Sequence, residues 1–330
     1  MLRALLLSLT LASAPAAAQE FPVRIPHAFG TAEIPDRPTR VVSLSFIGHD
    51  FLLALGLRPY ALRKWYGDYP FGVWPWAQDA LGQAEPIVMQ GEIDIEAISA
   101  MQPDLIVGQW SGMTAHDYRL LSQIAPTLAH QAEWGPYGAP WQGMLRNLGR
   151  ATGHSDRAEA WIDRLDARFA RIRADHPDWQ GASAAVVWAG RIGAYTGRDI
   201  RGRLLRDLGF TIPTEIDARG GLNTTYVPIP PEDLSPIDVD ALIWLDAGAG
   251  TDRLNALPLR NTMRAYAEGR EVYSGLMLSA AMSHSSPLSL DHALDTLVPL
   301  LEAAMDGDPA TVVASSAKAG ILPKETPDAR

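Results

Sequence analysis

The chain has 330 residues, no cysteine and a formal charge of -10 at pH 7. The absence of cysteine excludes disulfides, thiolate chemistry and a lipid-acceptor cysteine. The acidic balance argues against nucleic acid, which needs basic surface to displace counterions, and the length exceeds the roughly 250 to 300 residues at which one core stops growing, so two domains are expected.

Residues 1–18 open with Arg3, continue with an apolar run from Ala4 to Ala12 and end in Ala16-Ala17-Ala18. This is the layout of a cleavable signal peptide; the run is too short for the roughly 20 residues of a spanning helix. After a polar lead (residues 20–40), RVVSLSF reads as a buried strand and HDFLLALGLRPY as a helix stopped by Gly56 and Pro59. The aromatic stretch KWYGDYPFGVWPW (64–76) follows; its glycines and prolines disfavour regular structure. EIDIEAISAM is a short helix, DLIVGQW a strand, YRLLSQIA a helix, TLAHQ a strand candidate and WQGMLRNLGRATG a helix. Strands alternating with helices imply a parallel α/β sheet.

From Ser155 to His176 the chain is highly charged, but Trp161, Leu165, Phe169 and Ile172 recur at spacings of three and four. That is the stripe of one long helix. Beyond it the alternation restarts, with ASAAVVWAG and ALIWLDAG as strands, RGRLLRDLGF as a helix, REVYSGL as an edge strand and LSLDHALDTLVPLLEAAM as a terminal helix. From Asp306 the chain turns small and polar and reads as a frayed tail. A motif also recurs: Glu96, Ser99 and Asp104 precede one strand, and Glu232, Ser235 and Asp240 precede another, at identical spacing. The fold expected is α/β, with two lobes of mainly parallel sheet joined by one long backbone helix. Its parts are a signal peptide (1–18), an N-terminal lobe (19–152), the bridging helix (153–178), a C-terminal lobe (179–305) and a flexible tail (306–330).

Loops after strand ends are the expected place for binding groups. They hold Arg63, Trp65 and Tyr66, then Trp110, then Arg191 and Tyr195. Arg191, flanked by glycines, is the leading cation, with Arg63 and Arg198 behind it. Trp188 and Trp244, inside strands, read as core, as do Trp74 and Trp76 around Pro75. The eight histidines, at 27, 49, 116, 130, 154, 176, 284 and 292, are scattered without a metal-binding spacing, so no metal site is assigned; His49 and His284 remain candidates for a pocket wall. No nucleophile elbow or phosphate-cradling loop occurs, so no catalytic residue is assigned. Glu96 and Glu232, each in the first turn of a short helix, either complement the helix dipole or form a matched pair of surface acids.

HAFGTAEIPDRPTRVVSLS, LLALGLRP, GEIDIEAISAMQPDLIVG, the long helix and PPEDLSPIDVDALIWL together resemble the periplasmic substrate-binding proteins of iron–siderophore ABC importers, from about His27 to Asp308. Cobalamin and haem binders share that scaffold. The resemblance implies a soluble periplasmic protein that is not an enzyme and carries no cofactor of its own, iron entering only within a bound ferric siderophore. It further implies a ligand cleft between the lobes, a bridging helix that limits closure, and Glu96 and Glu232 docking an inner-membrane ABC permease dimer; no nucleic acid and no membrane insertion are expected. Haem or cobalamin is the alternative ligand, and a secreted hydrolase the alternative from another class.

Overall fold

The computed structural model describes residues 20–221, 224–246 and 250–322, so the expected signal peptide and the last eight residues of the expected tail lie outside the described residues. The polar lead is not a plain coil. β1 (Val23–His27) and β2 (Gly30–Ile34) form an antiparallel hairpin in which Val23, Ile25 and His27 turn inward while Arg24 and Pro26 face solvent. This period of two was obscured by Pro26 and by charged residues on the outer face.

The first sheet runs in the order β5-β4-β3-β6-β7 and is wholly parallel. Its strands are β3 (Val41–Ser43), β4 (Ala61–Arg63), β5 (Ile87–Met89), β6 (Leu105–Val107) and β7 (Thr127–Leu128). The central strands are buried at every position, as sheets covered on both faces require. The helices are α1 (Gly48–Ala54), α2 (Pro75–Leu81), α3 (Ile95–Ala100), α4 (Ala115–Leu121) and α5 (Trp141–Thr152). The aromatic stretch does contain regular structure: α2 starts at Pro75, since proline lacks only an N–H that the first helical turn leaves unpaired.

The bridge is α6 (Ser155–Asp175), 21 residues long, with Ala158, Ile162, Leu165, Phe169 and Ile172 buried along one stripe. It is fastened to both lobes. Arg157 Nε and Trp161 Nε1 donate to the carbonyl of Ala54, at the end of α1, at 2.9 and 2.8 Å, while Arg173 donates to the Asp207 carbonyl.

The second sheet runs β10-β9-β8-β11-β12, from β8 (Ala184–Trp188), β9 (Gly193–Tyr195), β10 (Tyr226–Pro228), β11 (Ala241–Leu245) and β12 (Glu271–Tyr273). β8, β11 and β12 are parallel, whereas β9 and β10 are antiparallel. The connection from Trp188 to Gly193 is too short for a crossover, so β9 can only return beside β8. Around this sheet lie α7 (Ile200–Asp207), α8 (Thr214–Arg219), α9 (Thr251–Asn255), α10 (Arg264–Ala267), α11 (Gly275–His284), α12 (Pro287–Ala304) and α13 (Ala314–Lys318). No helix among the described residues is long and apolar enough to cross a membrane.

The repeated motif has a structural counterpart. Asp104 accepts the Thr39 and Arg40 N–H groups at 2.7 and 2.8 Å, just ahead of β3. Asp240 accepts the Ser183 N–H and hydroxyl at 2.9 and 2.7 Å, just ahead of β8. Each aspartate therefore ties the start of its own strand, β6 or β11, to the parallel neighbour. The acids upstream differ more. Glu96 is in the first turn of α3, behind the N-cap Asp94, but Glu232 lies in a turn ahead of a short 3-10 segment (Ser235–Ile237) rather than in a helix. Pro230, Pro231 and Pro236 deny that stretch helical hydrogen bonds.

The flexible tail expected over 306–330 is corrected for its described part. α13 docks on the edge of the second sheet, with Val313, Ser316 and Ile321 buried. Ser316 donates to the Glu271 carbonyl at 2.7 Å and accepts the Tyr273 N–H at 3.1 Å. Two apolar anchors among small residues suffice to hold a short helix, and composition averages over them.

Candidate ligand-binding cleft

The carboxyl ends of the strands, where α/β sheets place their ligands, open into a cleft of about 790 Å³ between the lobes. The first lobe supplies Lys64, Trp65, Tyr66, Gly67 and Asp68, directly after β4. The second supplies Trp188, Tyr195 and Leu245 from the ends of β8, β9 and β11, Arg201 from α7, and Leu276, Ser279 and Ser283 from one face of α11. The last three are spaced by three and four, which puts them on a single helical face.

Trp65 and Tyr66 form the first-lobe wall, with ring centroids 4.8 Å apart. Behind Trp65 stands Trp110, edge-on at 5.2 Å and donating its Nε1–H to the Tyr137 carbonyl at 3.1 Å. Trp110 is therefore buried support and does not line the cleft. Arg63 is likewise turned away: its Nε and Nη1 donate to the Gly91 and Ser111 carbonyls at 2.8 and 3.1 Å, and its guanidinium covers the Phe46 ring. Gly67 has φ +85, and a Cβ there would sit 2.6 Å from the Trp74 ring, so the turn that presents Trp65 and Tyr66 needs glycine.

In the second lobe Tyr195 and Trp188 line the cleft and Arg191 does not. Arg191 is exposed and outside the lining, with its carbonyl accepting the Tyr226 hydroxyl at 2.6 Å. Trp188, read as core, is corrected: the first four residues of β8 are buried, but the fifth emerges into the cleft, 39% exposed. Gly190 leaves room for its indole, since a Cβ there would meet the ring at 2.8 Å. Trp244 is core as expected, its Nε1–H donating at 2.7 Å to Glu271, which also takes Arg260 in a buried ion pair at 2.7 Å.

The arginine that reaches the cleft is Arg201, which sequence reasoning missed. It is only 5% exposed, and its guanidinium lies 4.1 Å above the Tyr195 ring. Nη1 donates to both oxygens of Asp199 at 2.9 and 3.0 Å and Nε to Ser283 at 3.1 Å, leaving Nη2 without a hydrogen bond among the described residues. Burial works most strongly against its charge, but Asp199 together with Tyr195 and Tyr66 holds the guanidinium's pKa above its ordinary value. The signal in the sequence was Asp199-Ile200-Arg201 at a helix start. A cation in a first helical turn opposes the macrodipole and implies a fixed partner. Burial raises the Tyr66 and Tyr195 phenol pKa values, although Arg201 works the other way, so both are neutral hydroxyls at neutral pH.

His49 and His284 are buried beneath the cleft and do not form its wall. His284 Nδ1–H donates to the Ala280 carbonyl at 2.9 Å, and its ring lies 5.4 to 5.9 Å from those of Trp65, Trp74 and Trp76. Burial drives its pKa to about 4, so the ring is neutral. Trp74 and Trp76 stack in parallel at 5.1 Å, and Trp76 Nε1 donates to Asp50 at 2.7 Å. Glu96 and Glu232 are exposed, one on each lobe, and neither lines the cleft. Among the described residues no three His, Asp or Glu side chains gather in a metal-binding group.

Comparison with known proteins places this geometry. Residues 41–274 match a family model described as periplasmic binding protein. The chain is 27% identical over 241 residues to the probable siderophore-binding lipoprotein YfiY of Bacillus subtilis, covering 70% of this chain and 71% of that one. It is 30% identical over 224 residues to the ferric enterobactin-binding periplasmic protein FepB of Escherichia coli O6:H1, covering 63% and 68%. Among solved structures, a periplasmic solute binding protein from Mycobacterium smegmatis superposes with a TM-score of 0.75 at 33% identity, over 86% of this chain and 98% of that one. The chain belongs to the periplasmic binding protein family, whose members bind substrates rather than transform them.

Proposed function

We propose that this chain, exported by the signal peptide at 1–18, captures a ferric siderophore between lobes 19–152 and 179–305 and delivers it to an ABC importer. A ferric siderophore is a bulky chelate whose own oxygens occupy the iron, so its binder supplies aromatic faces and hydrogen-bond donors rather than metal ligands. The observation that carries the reading is the cleft of about 790 Å³ walled by Trp65, Tyr66, Trp188 and Tyr195 around one guanidinium, that of Arg201. The siderophore-binding names of YfiY and FepB support it. In this reading Glu96 and Glu232 engage the two halves of a permease dimer; their exposure, one on each lobe, supports it, a two-lobed surface meeting a two-fold partner.

Titration of the mature chain with ferric hydroxamate, catecholate and citrate complexes, with hemin and cobalamin alongside, tests this. Tryptophan emission is expected to fall and saturate at one ferric chelate per chain. Silence with every ferric chelate, or saturation by hemin or cobalamin alone, rejects it.

A further inference from the structure

The wall of the cleft carries few charges, and they cancel. Lys64 faces Asp68 at 3.5 Å. Arg201 is neutralised by Asp199, which is itself buried and holds the guanidinium through both carboxylate oxygens. The neighbouring groups supply no surplus cation. Arg63 points away into carbonyls behind the wall, and Asp246, directly after Leu245, accepts the Tyr273 hydroxyl and adds a carboxylate. His49 and His284 beneath the floor are neutral, their pKa values lowered by burial. Arg191 and Arg198 are exposed and lie outside the lining.

Resting on the reading that the ligand is a ferric chelate, we infer that the cleft selects a chelate of zero net charge, of the ferric tris-hydroxamate kind, over multiply anionic tris-catecholates. A trianion entering this site would give up its hydration without meeting matching positive charge, and partly desolvated charge without a partner is costly. It would also approach a chain of formal charge -10, whose field opposes anion encounter. A neutral chelate meets rings, neutral phenols and the free Nη2 edge of Arg201, which can donate to an uncharged ligand's oxygens without needing a counter-charge.

The test is a fluorescence titration of the mature chain against two ferric complexes of similar size, a tris-hydroxamate of zero net charge and a tris-catecholate of net charge -3. The neutral complex is expected to bind at least a hundredfold more tightly, with an affinity that changes less than twofold between low and high salt. Asp68→Lys, at a fully exposed side chain, is expected to shift the affinity ratio at least threefold toward the tris-catecholate. Equal or tighter binding of the trianion, or no shift in Asp68→Lys, overturns the inference while leaving siderophore capture intact. Binding of neither complex, nor of any other ferric chelate, rejects the underlying function and this inference with it.

Discussion

The Oδ2 atom of Asp50 in α1 accepts the hydroxyl of Ser286, 236 positions further along the chain, at 2.9 Å, and the same oxygen takes the Trp76 Nε1–H at 2.7 Å. This joint is buried and links the helix layer of the first lobe to the start of α12.

Removing it should cost stability. Ser286 also caps α12 by accepting the Ser289 N–H at 3.0 Å. Ser286→Ala is therefore expected to lose both a cap and a buried hydrogen bond, about 2 to 3 kcal/mol together. Urea denaturation followed by circular dichroism reads the loss; a change below half a kcal/mol would mean the joint carries no stability.

Arg201 and Asp199 should be inseparable. Arg201→Ala strands a buried carboxylate and is expected to destabilise by about 3 to 5 kcal/mol. Arg201→Lys keeps the charge but loses the planar fork that reaches Asp199 and Ser283 together, and ferric chelate affinity is expected to fall by at least tenfold in a protein that still folds. Melting curves paired with titrations separate the two effects.

The two strand tryptophans should behave oppositely. Trp188→Ala is expected to leave the unfolding midpoint nearly unchanged while weakening ligand affinity and reducing the quench. Trp244→Ala should cost about 3 to 5 kcal/mol, because it empties a fully buried site and strips Glu271 of a donor.

His284 makes stability depend on acid. Its folded pKa, about 4, lies below the ordinary value of 6.5, so the unfolded chain binds the proton first. Stability is retained above about 6.5 and lost progressively as pH falls towards 4, by about 3 kcal/mol from this group. Asp207, pushed up to about 6 chiefly by burial, works in the opposite direction between 3.8 and 6. Comparing wild type with His284→Gln across pH 4 to 7 therefore isolates the histidine; parallel stability curves would refute its role.

Replacing Glu96 and Glu232 together with alanine should leave ligand affinity within twofold, since neither touches the cleft. Uptake through the permease is expected to fall at least tenfold. Lost binding by the isolated protein would show that these acids serve the ligand instead.

Much of the architecture was legible because its signals are local. The stripe on α6, the buried runs of β3, β6, β8 and β11, and the twin aspartates ahead of β6 and β11 each depend on near neighbours in sequence. The cleft was half legible for the same reason. Position after a strand end located Trp65, Tyr66 and Tyr195, but whether a side chain turns into the cleft depends on contacts distant in sequence. Arg63 is turned back by carbonyls at Gly91 and Ser111. Trp188 is turned outward because it is the last residue of β8, one position beyond the buried run. Arg201 was hidden inside a helix that reads as ordinary until Asp199 is seen beside it.

Trp65 is held by Phe46, Tyr66, Trp110 and His284, all with ring centroids within 6 Å of its own. An indole so confined has already surrendered its rotamer freedom when the chain folds. Ordering a mobile side chain at an interface costs about 0.5 to 1.5 kcal/mol, and at this ring that entropy is spent before any ligand arrives. Trp188, 39% exposed and with its one ring neighbour among the described residues, Tyr226, at 6.4 Å, is less confined, so the two walls of the cleft differ in how much disorder each has left to lose.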